Sequence, residues 1–172
     1  IGFFGFSSAK ESYIQSSISQ SAKETDDLSA KIEAMLQPIS NDVLYNSNFY
    51  ALEKLLIWED LDEKRKINNW KKIYISALKD YMFSSKYFYQ VRVLGIDGQE
   101  KISVKYDTNT DTVYQSPEHE LSSKATRDYF IKALNLKKGE VYISKMNLNI
   151  EQGKIQKPYL PVVRYSTPLI DK

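Results

Sequence analysis

Residues 6–94 contain no glycine, and Pro38 is the only proline before Pro117. Within this stretch apolar residues recur mostly at three- and four-residue steps, and the opposite face carries Ser, Gln, Lys, Glu and Asp. This spacing predicts amphipathic helices over 8–84. Because proline lacks an amide hydrogen and disfavours helical geometry in the preceding residue, we expect a kink or a restart near Leu36–Gln37.

Three apolar stripes are expected along these helices. In chain order they are Ile14, Ile18, Ala22, Leu28, Ile32, Met35, Leu36, Ile39, Val43 and Leu44; then Phe49, Leu52, Leu55, Leu56 and Trp58; then Trp70, Ile73, Tyr74, Ala77, Leu78 and Tyr81. The first stripe could pack against the rest of the domain or form the seam of a dimer. We expect a dimer for its part from Ile14 to Leu28, which has too few partners within its own domain.

From Lys86 the pattern becomes that of strands, and we take 85–172 as sheet-rich. Two β-rich runs in "KYFYQVRVLGIDGQEKISVKYD" flank a turn at Ile96–Gln99, and Asp-Gly between apolar runs is a strong hairpin signal. A short strand is expected at Thr112–Gln115. Further strands are expected in "GEVYISKMNLN" and "PYLPVVRYSTPLID", with a turn or small hairpin in "IEQGKIQK" between them.

One short helix is expected in "SSKATRDYFIKALNL", capped by Ser122 or Ser123 and ended by the basic residues and glycine of 137–139. The order is therefore long helices, a hairpin, a short helix and two strands. This order predicts an α+β fold with an antiparallel sheet and not alternating βαβ units.

Composition and motifs exclude several functions. The net charge of +2 gives no argument for nucleic-acid binding, and the absence of cysteine removes disulfides and thiolate sites. Any histidine-based metal site or catalytic triad would need His119, which lies in the loop-like "SPEHE". The run "DTNTDT" at 107–112 lacks the glycine and terminal glutamate of a calcium loop, so we expect a solvated turn. With no phosphate-binding or hydrolase motif either, we expect no catalytic residue, metal or cofactor.

The chain opens with "IGFFGF" and not with methionine. Six apolar residues cannot span a bilayer, which needs about 20. They could be the end of a transmembrane helix, the remnant of a signal peptide or a plain N-terminal arm. The interpretation of 1–7 depends on the family to which the following residues point.

The second half resembles the extracytoplasmic PAS-like sensor domains called PDC or Cache domains, over about 87–171. The similar parts are the hairpin "YQVRVLGIDGQEKISVKYD", the helix "SSKATRDYFIKAL" and the run "GEVYISKMNLNIEQGKIQKPYLPVVRYSTPLID", in which "GKI…P…P…R…TP" is specific. The group concerned is that of bacterial histidine kinases and diguanylate cyclases. "NDVLYNSN" also fits the long N-terminal helix of that group.

The resemblance implies a long N-terminal helix rising from the membrane and an antiparallel sheet of about five strands flanked by helices. It favours the end of a transmembrane helix for 1–7 and a sensor domain for 8–172. The family's last, glycine-rich strand is missing after Lys172, and so is the second module of double sensors. Either the sheet is incomplete or the domain boundary lies early.

By analogy with family sites, seven residues are candidates for contacting a ligand. They are Arg92, Asp128, Tyr129, Tyr142, Lys145, Tyr159 and Arg164. The arginines could grip a carboxylate through two hydrogen bonds, the tyrosines could wall a pocket, and Asp128 could hold an amine. Alternatively, the arginines pair with Asp128, Glu100 or Asp171, and the tyrosines pack in the core or at its rim.

The resemblance therefore implies a non-catalytic ligand-sensing domain of a bacterial inner-membrane receptor, on its periplasmic or extracellular side. The ligand would be a small molecule, carboxylate-like or amino-acid-like, and a homodimer through the N-terminal helix would pass the signal to flanking transmembrane helices. The output would be a histidine kinase of a two-component system, a diguanylate cyclase or a chemoreceptor. The alternatives are a domain that binds a partner protein with no small molecule, and a small hydrolase.

Overall fold

The computed structural model describes residues 2–60, 63–151 and 153–169. Three helices come first: α1 spans Gly2–Ser47, α2 spans Tyr50–Asp60 and α3 spans Lys64–Ser85. An antiparallel three-stranded sheet follows them. The α+β class with a long N-terminal helix is therefore confirmed.

Helix α1 contains Pro38 and continues through it, so the restart that we considered near Leu36–Gln37 does not occur. A proline removes one amide hydrogen bond, and the turns on either side keep theirs. Contacts divide the chain into two compact units, Ile1–Ile39 and Ser40–Lys172.

In the first unit the side chains of 10–35 are exposed, and among those described only Leu36 and Ile39 are partly buried. Its apolar stripe is thus uncovered in the single chain. Exposed fractions range from 42% to 73% for Ile14, Ile18, Leu28, Ile32 and Met35.

The second unit has its core between α2, α3 and the sheet. The buried members are Ala51, Leu52, Leu55, Tyr74, Ile75, Leu78, Met82, Val93, Ile102 and Val104. On α3 the predicted stripe is partly wrong, because Ile73 is 42% exposed while Ile75 and Met82 are buried. Positions 74, 78 and 82, spaced four residues apart, form a ridge along the helix, and that ridge faces the core. The side chain of Trp58 lies outside the described residues.

The sheet consists of β1 (Gln90–Leu94), β2 (Glu100–Asp107) and β3 (Thr112–Gln115), in that order and antiparallel. The predicted hairpin is confirmed, since the Gly95 amide donates to the Gln99 carbonyl at 2.8 Å and Gly98 turns with φ +78°. In the β2–β3 turn the Asp107 carboxylate accepts the Asn109 amide at 2.8 Å.

Helix α4 spans Asp128–Ala133 and is shorter than predicted at both ends. Neither Ser122 nor Ser123 caps it, because the helix begins only at Asp128 and Arg127 stands at the N-cap, while both serines lie at the first hairpin. The Ser122 amide donates to the Glu100 carboxylate at 2.9 Å, and Ser123 forms a β-bridge with Gln99. The glycine expected to end the helix, Gly139, lies in a later turn with φ +86°.

The remaining strands have two residues each. They are β4 (Tyr142–Ile143), β5 (Asn147–Leu148), β6 (Ile150–Glu151), β7 (Lys154–Ile155), β8 (Pro161–Val162) and β9 (Tyr165–Ser166). They pair as β4–β9, β5–β8 and β6–β7, so the small hairpin predicted in "IEQGKIQK" is confirmed.

The strand predicted in "PYLPVVRYSTPLID" is split into β8 and β9 at Val163 and Arg164. The Arg164 amide donates to the Ser144 hydroxyl oxygen at 2.9 Å and so leaves the ladder, and Pro161 cannot donate at all. The described strands thus form a three-stranded sheet and three short pairs, and not one continuous sheet of five.

Candidate functional site

Arg164 sits in the break between β8 and β9, and its guanidinium is held from two sides. It donates to the side-chain oxygen of Asn147 and, at 3.2 Å, to that of Asn149. These two asparagines are two residues apart, Asn147 on β5 and Asn149 between β5 and β6, and both side-chain oxygens face the guanidinium. The planar guanidinium is therefore held in one orientation.

The ring of Tyr129, in the first turn of α4, lies against the same guanidinium. The Arg164 guanidinium carbon is 5.6 Å from the ring centroid, and that of Arg127 is 6.0 Å from it. Both distances lie within the range of cation–π attraction. Tyr129 and Arg164 are two of the seven predicted residues, and the structure brings them into contact.

A partly buried chain of polar groups continues from Arg164 towards the three-stranded sheet. Asn149 is 3% exposed and donates to the Gln156 side-chain oxygen at 2.8 Å. Gln156 in turn donates to the Tyr89 hydroxyl at 3.0 Å, one residue before β1. Buried polar groups that satisfy one another in this way hold a rigid arrangement. We call Tyr129, Asn147, Asn149 and Arg164 the Arg164 cluster.

Sequence reasoning missed the two asparagines of the Arg164 cluster. The signal was present in "NLN" at 147–149, where alternation places both amides on one side of an extended segment. It was weak because asparagine is also common in turns.

Arg92 occupies a different place, in a buried ion cluster at the first hairpin. Its Nε lies 2.6 Å from Glu100 Oε1, and Lys124 Nζ lies 3.8 Å from Glu100 Oε2. The Glu100 and Lys124 side chains are 4% and 9% exposed, and that of Arg92 is 15% exposed. The structural pairing with Glu100 that we considered for Arg92 is therefore present. The cluster ties the 122–124 segment to the hairpin.

The other four predicted residues belong neither to the Arg164 cluster nor to the ion cluster of Arg92. Asp128 and Lys145 are exposed, Tyr159 is 64% exposed, and Tyr142 is partly buried opposite Ser166 in the β4–β9 pair. Asp171, the other carboxylate considered as a partner for the arginines, lies outside the described residues.

An exposed cluster joins the end of α3 to the β2–β3 turn. Lys86 Nζ lies 3.0 Å from Asp111 Oδ1, and the Tyr106 hydroxyl donates to the same carboxylate. The Tyr106 hydroxyl and the Lys86 ammonium together hold the pKa of Asp111 below its usual value. This cluster fastens helix to sheet at the surface.

Within the described part of the chain, no group of three or more His, Cys, Asp and Glu side chains is placed to hold a metal ion. Within the same residues no helix is both long and apolar enough to cross a membrane.

A comparison with protein families agrees with the fold described above. The model for the bacterial histidine kinase sensor domain matches residues 13–172. The chain therefore belongs to the family of bacterial histidine kinase sensor domains. A search of curated proteins finds no significant match.

Two solved structures share the fold. One is a domain of a protein described as sensory box/GGDEF family from Vibrio parahaemolyticus, with TM-score 0.64, 23% identity, and coverage of 82% of this chain and 49% of that one. The other is the extracellular domain of a protein described as the histidine kinase vpHK1S-Z8, with TM-score 0.61, 23% identity, and coverage of 82% and 46%. The chain thus spans about half the length of these structures.

Proposed function

We propose that this domain senses a small anionic molecule outside the cytoplasmic membrane, as the input module of a bacterial transmembrane receptor. Family membership supports the sensor role, and one fold neighbour is an extracellular domain. The single observation that carries the ligand class is the guanidinium of Arg164, aligned by two amide oxygens and a tyrosine ring. A preorganised guanidinium binds carboxylates well, because little rotational freedom is lost on binding.

The proposed ligand is a small carboxylate or an amino acid. Its carboxylate would meet Arg164, and Tyr129 would cover its apolar part. Asp128, exposed beside Tyr129 at the start of α4, is the proposed partner for an amine. The proposed output is a histidine kinase, in keeping with the family model, and a GGDEF-type output is the alternative offered by the first fold neighbour.

The test is a thermal-shift screen of the domain against small carboxylates, amino acids, amines and nucleobases. A ligand at about 100-fold its Kd stabilises by about 2.7 kcal/mol, which raises Tm by roughly 5–11 °C for a domain of this size. We expect Arg164→Gln to abolish the rise for the best carboxylate. Arg127→Gln, which changes the second arginine against the same ring, serves as the matched control and should retain most of it. A full rise in Arg164→Gln would refute the proposed site.

We further propose that two copies of the domain associate through the first unit, with residues 1–7 continuing into a membrane helix. Support comes from the uncovered apolar stripe of α1, on which Ile18 is 57% exposed. Sedimentation equilibrium should show a dimer that Ile18→Glu weakens and Ser16→Glu, more than half a turn away on the helix, leaves intact. Equal sedimentation of both variants and the wild type would contradict this interface.

A second candidate function is the binding of a partner protein with no small molecule. It is favoured by large apolar side chains exposed on the short strands and in the loops next to them. Ile143, Met146, Ile155 and Tyr159 are between 45% and 70% exposed. This function would replace the first if no compound raised Tm while Met146→Glu silenced the full-length receptor and Arg164→Gln did not.

A further inference from the structure

A cleft of about 150 Å³ lies in the helical part of the second unit, between the end of α1 and α3. Tyr45 and Asn46 of α1 line it, together with Phe49, just before α2. The lining of the cleft shares no residue with the Arg164 cluster or with the ion cluster of Arg92. An apolar cavity of roughly this size accommodates a molecule such as benzene.

The facing wall comes from α3, where Tyr74, Leu78 and Tyr81 follow one another at helical spacing. The rings of Phe49 and Tyr74, both in the lining, pack against each other with centroids 6.1 Å apart and planes tilted by 46°. Four aromatic side chains thus line a small space, and the π faces of aromatic rings carry partial negative charge.

A carboxylate adds a full negative charge beside these rings. Asp42 lies one turn before Asn46 on α1, next to the Tyr81 hydroxyl, whose oxygen is buried. Burial and the Asp42 carboxylate raise the pKa of Tyr81, and burial raises that of Tyr74 to about 12. A tyrosine is neutral at neutral pH, and none of the described lining residues is cationic.

We infer that this cleft binds a small organic ammonium ion, with the aromatic rings around its alkyl groups and Asp42 balancing its charge. Aromatic rings facing a cation, with a nearby carboxylate, are the chemistry that recognises alkylated ammonium groups. A neutral molecule of the same size would gain only the apolar contacts. The inference is independent of the anion proposed for the Arg164 cluster, since the two sites share no residue.

The experiment is an NMR titration of the ¹⁵N-labelled domain with tetramethylammonium, and separately with tert-butanol as a neutral molecule of similar size. We expect saturable shifts of the Asn46, Ala77 and Tyr81 amides with tetramethylammonium, and at least about fivefold weaker binding of tert-butanol. Asp42→Asn should weaken tetramethylammonium at least about fivefold and leave tert-butanol unchanged. Asp80→Asn, the same change at an exposed carboxylate of α3, is the matched control.

Equal affinity for the two probes would overturn the inference, because the cleft would then select only for size. Absence of saturable shifts at these amides, or an Asp42→Asn variant that binds tetramethylammonium as the wild type does, would also overturn it. If Asp42→Asn fails to fold, the comparison of the two probes on the wild-type protein still decides the matter.

Discussion

Replacing Glu100 by glutamine should destabilise the domain strongly. The change keeps the shape of the side chain and removes the negative charge that lies beside both Arg92 and Lys124. Glu100 as a residue is 5% exposed, and its carboxylate lies 2.6 Å from Arg92 and 3.8 Å from Lys124. Removing one partner of a buried ion pair costs about 3–5 kcal/mol, because the remaining charge stays desolvated.

For a domain of this size that loss corresponds to a fall in Tm of roughly 6–20 °C. Urea unfolding at neutral pH, followed by circular dichroism, measures the free energy of unfolding. Glu118→Gln, at an exposed glutamate of the short 3₁₀ helix Glu118–Glu120, is the matched control and should change it by less than about 0.5 kcal/mol. Combining Glu100→Gln with Arg92→Gln in a double-mutant cycle isolates the pairwise energy.

A loss in Glu100→Gln no larger than that of Glu118→Gln would refute the reasoning. It would mean that water or rearrangement compensates the two cations as well as the carboxylate does. A large loss with no coupling to Arg92→Gln would assign the effect to the other groups at this carboxylate, which are Lys124 at 3.8 Å and the Ser122 amide, which donates to Glu100 at 2.9 Å.

Two further predictions concern turns and surface charge. Gly98→Ala should lower the free energy of unfolding by more than about 1 kcal/mol, because φ is +78° and a Cβ would come within 2.6 Å of backbone atoms. Gly153→Ala, at φ +77° with open space around it, should cost only the smaller conformational strain. Equal losses of the two variants in urea unfolding would contradict the steric explanation. Asp111, whose pKa is lowered in the folded state, should add stability at neutral pH that is lost as the pH falls through that lowered pKa. The difference between wild type and Asp111→Asn should therefore shrink in acid, and a difference independent of pH would rule out this linkage.

Several structural features could be predicted because their causes are local. The helical periodicity, the Asp-Gly turn and the glycine at 153 act within a few residues, so the α+β class, the first hairpin and the β6–β7 hairpin follow from short stretches. The extent of α4 could not be predicted in this way. Ser122 and Ser123 are good capping residues, but a contact with the distant hairpin engages them instead.

In the candidate site, too, some features could be predicted from the sequence and others depended on contacts between distant segments. Arg164 and Tyr129 were chosen from a family resemblance, and their contact with each other needed the fold. The two arginines looked alike in sequence, each inside a short apolar strand. Glu100 faces Arg92 across the first hairpin, while two asparagines hold Arg164 between β8 and β9.

The class of fold, the boundary between the helical and sheet-rich halves, and the family could all be inferred from short stretches of sequence. Periodicity, turn chemistry and a distinctive motif are properties of neighbouring residues. The partners of the buried charges, the break in the last predicted strand and the four aromatic side chains that line a cleft beside Asp42 became visible only in the folded structure. These outcomes depend on distances between segments far apart in the chain, and the free energy of each contact exists only once those segments meet.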